Sequence, residues 1–288
     1  MNKIGIYYAY WTRNWDADFV PYVDKVKRLG FDILEVNAGT VATMSTREQN
    51  RLKRAAEKAG IELTYCIGLT KGYDLASPSA RVRATGIAFL RRIAKTVRAM
   101  GNSQLGGIIY SSWPGKLPFG EDKRLYLDRS ISSMREAIKT AEDCNVFFNV
   151  EVVNRFEQFI LNTAAEGVAY THRVESDHCR VLLDTFHLNI EEEHIGKAIA
   201  AAGKKLGHFH LGESNRRPPG RGRMPGDEIF GSLRRIGYTG AMTMEPFVTP
   251  GGEVGRDISL YRELGAGLDL DREARRSVRF VRRHLACT

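Results

Sequence analysis

Residues 147–151 read Phe147-Phe148-Asn149-Val150-Glu151, and three later stretches repeat the pattern. Val181-Leu182-Leu183 runs into Asp184, Gly207-His208-Phe209 into His210, and Ala241-Met242-Thr243-Met244 into Glu245. Each is a short apolar run ended by a residue able to hold a metal. Runs of this length suit fully buried strands, and helix-like stretches separate them. Strands that are apolar throughout and joined by helices belong to parallel sheets. The carboxyl ends of such strands carry function, and all four ligand-type residues lie there. One carboxylate after an apolar run signifies little. The same placement four times predicts a divalent metal site of three carboxylates and one imidazole.

The rest of the chain continues the alternation. Residues 4–8, 32–36, 61–67 and 105–110 read as four earlier strands. Phe19, Val20, Val23, Val26 and Leu29 recur at helical spacing over 18–29, and Gly30 follows as a stop. Ser45 is placed to cap a helix over 46–58, closed by Gly60. Ser77-Pro78 reads as cap and first-turn proline of a helix running to Met100. Further helices are expected over 123–144, 163–174, 191–202, 227–236 and 271–285. Eight strand–helix pairs predict a closed (β/α)8 TIM barrel, α/β in class, with residues 1–288 as a single domain. No glycine-rich dinucleotide turn follows any strand, which disfavours an open doubly wound sheet. Gly106-Gly107 reads as a strand beginning, where glycines serve close packing.

The composition is that of a globular protein: 288 residues, 43% hydrophobic and 27% charged. The net charge of +9 raises nucleic acid as a partner. Only two regions concentrate the excess. Arg216-Arg217-Pro218-Pro219-Gly220-Arg221-Gly222-Arg223 follows the seventh strand, so it reads as a lid-like loop at the barrel mouth. Arg216 is expected to face substrate, and the other lid arginines to meet mostly solvent or another subunit. Arg272, Arg275, Arg276, Arg279, Arg282 and Arg283 form the basic face of the last helix, opposite Val278, Val281 and Leu285. No nucleic-acid partner is therefore expected. Cys66, Cys144, Cys179 and Cys287 lack the spacing of a zinc or redox motif and read as free thiols. With no signal peptide ahead of the first strand and no transmembrane-length apolar run, the expectation is a cytoplasmic protein without a membrane partner.

The wider context of the four ligand positions is specific. It reads Glu151-Val152-Val153-Asn154-Arg155-Phe156-Glu157, then Asp184-Thr185-Phe186-His187, then His210-Leu211-Gly212-Glu213-Ser214-Asn215-Arg216, then Glu245-Pro246-Phe247. With Gly5-Ile6-Tyr7-Tyr8, Gly30-Phe31-Asp32 and Tyr110-Ser111-Ser112-Trp113-Pro114, these stretches closely resemble the ketose 3-epimerases, the family of the D-tagatose and D-psicose (D-allulose) enzymes. The resemblance covers essentially the whole chain. It implies a xylose-isomerase-like TIM barrel with one divalent metal ion, Mn2+ first and Co2+ or Mg2+ next. By motif match, Glu151, Asp184, His210 and Glu245 are its ligands. Glu157, His187 and Arg216 match positions that bind the sugar's oxygens, and Tyr7, Trp113 and Phe247 match positions lining the pocket. A free ketose substrate and a homodimer or homotetramer are implied as well. The chain departs from the family at Gly226, where relatives usually carry tryptophan. Cys66-Ile67-Gly68-Leu69 is similar to the tagatose-type members, and these differences bear on which ketose is preferred.

The residues suit that chemistry without the name. Removing a proton beside a carbonyl leaves an unstable carbanion, which a metal bridging O2 and O3 would stabilise as a cis-enediolate. Inverting C3 then takes a base on one face and an acid on the other. Glu151 and Glu245, read as coming from opposite sides of the mouth, are the expected pair. Asp184 and His210 would hold metal without moving protons. Arg216 and a neutral His187 would donate to the charge at O2. His208 shares a face with His210 and reads as packing. Glu213 reads as a supporting or loop carboxylate outside the ligand set. Two other activities fit the same barrel: an aldose–ketose isomerase, and a metal-dependent DNA phosphodiesterase, which would want more His and Asp ligands than the sequence offers.

Overall fold

A computed structural model describes residues 2–286. Eight parallel strands close in sequence order into one barrel, so the expected TIM barrel is borne out. The strands are β1 (Ile4–Tyr7), β2 (Ile33–Asn37), β3 (Glu62–Cys66), β4 (Gln104–Gly107), β5 (Phe147–Val152), β6 (Cys179–Asp184), β7 (Leu206–Leu211) and β8 (Met242–Met244). Between β1 and β5 lie α1 (Val20–Leu29), α2 (Ala38–Thr43), α3 (Thr46–Ala59), α4 (Ala80–Ala99) and α5 (Lys123–Asp143). After β5 come α6 (Ala164–Val174), α7 (Thr185–Glu191), α8 (Ile195–Ala202), α9 (Gly226–Arg235), α10 (Gly252–Asp257) and α11 (Leu270–Ala286).

Side chains alternate along each strand, and the alternation sorts them into two cores. On β7, Phe209 points out toward Tyr238, while His208 and His210 point in, toward Glu35 of β2. The outer core packs strands against helices such as α1, which buries Val23, Val26 and Leu29. Each such side chain contributes about 1.5–3 kcal/mol of burial free energy. Gly30 and Gly60 end α1 and α3 at φ 92° and 64°, and Ser45 forms a capping box with Glu48, as their positions suggested.

Several boundaries differ from expectation for local reasons. Helix α4 starts two residues later than the Ser77-Pro78 signal, because Ser79 accepts from the Val82 amide and is the cap. Helix α1 begins at Val20, with Pro21 in its first turn. The helix expected over 191–202 is α8, and an unexpected short helix, α7, precedes it, because the Asp184 carboxylate accepts from the Phe186 amide at 2.9 Å and starts a helix directly at the end of β6. Gly106-Gly107 closes β4 rather than opening it. Gly107 has φ 112°, and a Cβ there would meet the Ile67 carbonyl oxygen at 2.2 Å, so the extended strand stops there. At Gly226 a Cβ would meet His284 of α11 at 3.2 Å. Cys66, Cys144 and Cys179 are free, and Cys287 lies outside the described residues. No described helix is long and apolar enough to cross a membrane.

Candidate active site

The carboxyl ends of β5 to β8 bring together the four residues expected as ligands. Glu151, Asp184, His210 and Glu245 each offer an atom within 4.8 Å of the others. They are 3%, 0%, 0% and 8% exposed, too buried to be stray surface carboxylates. Nδ1 of His210 lies 3.9 Å from Glu151 Oε1 and 3.8 Å from Glu245 Oε2. That nitrogen is buried and has no hydrogen-bond partner. An orphaned imidazole nitrogen facing clustered carboxylates fits a divalent cation, which would satisfy it and offset the crowded negative charge. Burial, then the adjacent Glu245 carboxylate, pushes the Glu151 carboxyl well above the usual range. For His210 burial opposes the charged form, but Glu35 and Glu245 outweigh it and push the ring well above its ordinary value.

The expected sugar-binding residues surround this cluster. Arg216 places Nη1 3.5 Å from both Asp184 Oδ2 and Glu245 Oε2, and Nη2 3.5 Å from Glu157 Oε1. Its guanidinium lies 3.6 Å over the Phe186 ring. Arg216 adopts φ 59°, a left-handed conformation, and its carbonyl accepts from the Phe247 amide. Nδ1 of His187 accepts from the Asn154 backbone amide at 3.2 Å. The proton is therefore assigned to Nε2, which points at Glu151 and Asp184 from 3.7 and 3.9 Å. Burial lowers the His187 pKa and keeps the ring neutral. Glu157 accepts from Trp113 Nε1 at 2.9 Å and Asn154 Nδ2 at 3.1 Å. Burial opposes its charge, yet the Arg216 guanidinium and the Trp113 and Asn154 donors outweigh it and hold its pKa low.

Above the cluster opens a cavity of about 460 Å³. Tyr7, Trp113 and Phe247 line it, joined by Trp15, whose ring meets Trp113 and Phe247 edge-on at 6.1 and 6.4 Å. Glu151 and Glu245 reach its wall, while Asp184 and His210 lie beneath. Two strands separate β5 from β8 around the rim. The two glutamates thus stand three strands apart, not on opposite sides of the mouth as the sequence reading had them.

Three residues take places that the sequence reading did not give them. Glu35 is fully buried on β2 and contacts both imidazoles of β7. Its signal was an acid inside the apolar run Ile33-Leu34-Glu35-Val36. Asn154 braces both His187 and Glu157, and Trp15 walls the cavity. His208 is not merely packing: its Nε2 meets Glu35 Oε2 at 2.7 Å. Glu213 is a loop carboxylate, accepting from the Gly220 and Met224 amides at 2.7 and 3.1 Å. Arg221, expected in solvent or at a subunit contact, is instead paired with the buried Glu273 of α11, with Nη2 2.6 Å from Oε1.

Residues 23–284 match the family described as the xylose isomerase-like TIM barrel. A D-psicose 3-epimerase of Ruminiclostridium cellulolyticum is 45% identical over 288 residues, spanning 99% of this chain and 98% of that one. A D-psicose 3-epimerase of Agrobacterium fabrum is 46% identical over 283 residues, spanning 97% and 98%. The crystal structure of D-psicose 3-epimerase with D-tagatose from Clostridium cellulolyticum H10 superposes with a TM-score of 0.96 at 45% identity, covering 99% and 100%. Barrel and near-complete overlap agree: the chain is an epimerase and belongs to the ketose 3-epimerase family of xylose isomerase-like TIM barrels.

Proposed function

We propose that this enzyme inverts C3 of free ketoses, of the fructose/psicose and tagatose/sorbose type, with one divalent metal ion and with Glu151 and Glu245 as the acid–base pair. The observation that carries this reading is the division within the ligand cluster: Glu151 and Glu245 reach the cavity wall while Asp184 and His210 stay beneath. Two carboxylates are thus open to a bound carbon from different strands, and the other two residues serve the ion alone. Bound among the four, a divalent cation supplies a Lewis acid that polarises the ketone. Three carboxylates and one imidazole form a mostly hard donor set, favouring Mn2+, with Co2+ or Mg2+ next.

In this reading one glutamate takes the C3 proton and the other delivers a proton to the opposite face, with the roles exchanged in the reverse direction. Arg216 and the Nε2–H of His187 donate to the oxygen where negative charge grows. Glu157, held ionised, accepts from a sugar hydroxyl. Tyr7, Trp113 and Phe247 shield the reacting carbon from water. The substrate is unphosphorylated: Glu151, Asp184, Glu157 and Glu245 crowd the reacting end of the site, where Arg216 is already shared among three of them. A phosphate dianion would meet repulsion there.

The reading carries a homodimer or homotetramer, supported by Leu117, Phe119, Leu125 and Phe156, large apolar residues left exposed on and beside the loops after β4 and β5. It also carries a cytoplasmic location, which the three free thiols support. The test is product analysis after chelation and readdition of single metals. D-fructose is expected to give D-psicose, restored best by Mn2+, with D-fructose 6-phosphate a poorer substrate. Glucose or mannose as product would point to an aldose–ketose isomerase, and full activity without a bound divalent ion would refute the metal.

A further inference from the structure

Glu35 is a fully buried carboxylate, mid-strand on β2 between Leu34 and Val36. Burying a carboxylate is costly unless something holds its charge. Its oxygens meet two imidazoles and the hydroxyls of two threonines. Nε2 of His210 approaches Oε1 at 2.8 Å, and Nε2 of His208 approaches Oε2 at 2.7 Å. Thr64 donates to Oε2 at 2.7 Å and Thr243 at 3.5 Å, and Cys66 offers its sulfur within 4.8 Å. The His210 contact is at ion-pair distance but too oblique for a hydrogen bond, and neither Oε1 nor Nε2 has any hydrogen-bond partner. Glu35 does not line the cavity, so it touches no substrate.

We infer that Glu35 is a positioning residue that fixes which nitrogen of His210 serves the metal. An ionised carboxylate only accepts hydrogen bonds, so the ring nitrogen facing it must carry a proton. Nε2 faces Glu35, so when a bound cation displaces the ring's second proton, the lone pair left for it is on Nδ1. Nδ1 is the nitrogen turned toward Glu151 and Glu245, at 3.9 and 3.8 Å. His208 completes the device. It stands two residues before His210 on the same face of β7 and occupies the other oxygen, so the carboxylate cannot swing away. The sequence Leu206-Gly207-His208-Phe209-His210 thus uses one imidazole to anchor the acid and the next to present a lone pair. Carboxylates behind ligating histidines fix tautomer and ring orientation, and removing them typically weakens metal binding about 10–100-fold.

The inference rests on the metal site proposed above, and the experiment separates the two. Mn2+ affinity is measured from free Mn2+ by EPR for the parent and for Glu35→Gln, with the melting temperature of each metal-free protein as a folding control. The substituted amide would either keep an oxygen toward Nε2 without its charge or turn its N–H there and force the proton onto Nδ1. Both weaken binding, so the dissociation constant is expected to rise about 10–100-fold with the melting temperature close to parental. Parental affinity in Glu35→Gln overturns the positioning role and leaves the metal site standing. A parent that binds no Mn2+ removes both. Should the variant not fold, the parent still decides. In Mg2+-loaded enzyme labelled with 15N-histidine, Nε2 of His210 is expected to carry an exchange-protected proton. An Nε2 without one, acting itself as the ligand, overturns the inference.

Discussion

At the scale of single residues, the decisive contrast is between Glu151 and Glu245 on the cavity wall and Asp184 and His210 beneath it. Glu→Gln at either wall position keeps shape and one oxygen but removes the carboxylate proposed to carry the proton. Metal-loaded Glu151→Gln and Glu245→Gln are each expected to lose epimerisation by at least about 10²-fold, the lower end of general acid–base catalysis. Metal content must be measured alongside, since both residues also belong to the ligand cluster. A fully loaded variant with near-parental turnover would remove that glutamate from proton transfer. Arg216 supplies a different test. It stacks on Phe186 and reaches three carboxylates with two nitrogens, a geometry that lysine's single ammonium cannot reproduce. Arg216→Lys is expected to lower kcat/KM on D-fructose by about 10²-fold, the loss typical of one donor to developing charge. An unchanged kcat/KM would place the arginine outside the reacting centre.

At the scale of elements, the loop between β7 and α9 buries Pro218 and Pro219 and is further held by acids. Glu213 gathers two loop amides, and Glu273 of α11 clasps Arg221. The hydrogen bond from Arg221 is the largest influence on the Glu273 carboxyl and holds it below its ordinary value, burial opposing. A depressed carboxylate stabilises the fold fully above its unfolded pKa of about 4.3 and loses that contribution as pH falls through the folded value. The urea midpoint of Glu273→Gln should therefore lie below the parent's at neutral pH, by a stability difference of about 1–3 kcal/mol. That difference should shrink below about pH 4, whereas one that grows toward acid would contradict the clasp. The strand–helix alternation was legible because its apolar runs and glycine stops are local signals, as at Val20–Leu29 with Gly30. Helix α7 was not, because it depends on the Asp184 side chain capping the strand's own exit. Arg221 misled for a similar reason: its partner lies 52 positions on, in a helix whose sequence reads as a basic surface.

At the scale of the whole molecule, barrel closure sets four residues from successive strands around one point. Their order was legible, since each ends an apolar run. The support from Glu35 was not, because it depends on β2 facing β7 across the interior, a relation that no spacing along the chain encodes. The surface makes its own prediction. Phe119 and Phe156 are 107% and 66% exposed, costly for a monomer in water and natural at a subunit contact. Phe119→Ser with Phe156→Ser is expected to shift sedimentation toward the monomer, and an unchanged oligomer would move the contact elsewhere. The reaction itself is tested most directly by running the Mn2+-loaded enzyme on D-fructose in deuterated water and locating the label in the product by NMR. A proton delivered by a second, solvent-exchanged carboxyl places deuterium at C3 of D-psicose. Deuterium at C1 or C2 of an aldose, or D-psicose formed without label at C3, would contradict proton transfer by Glu151 and Glu245.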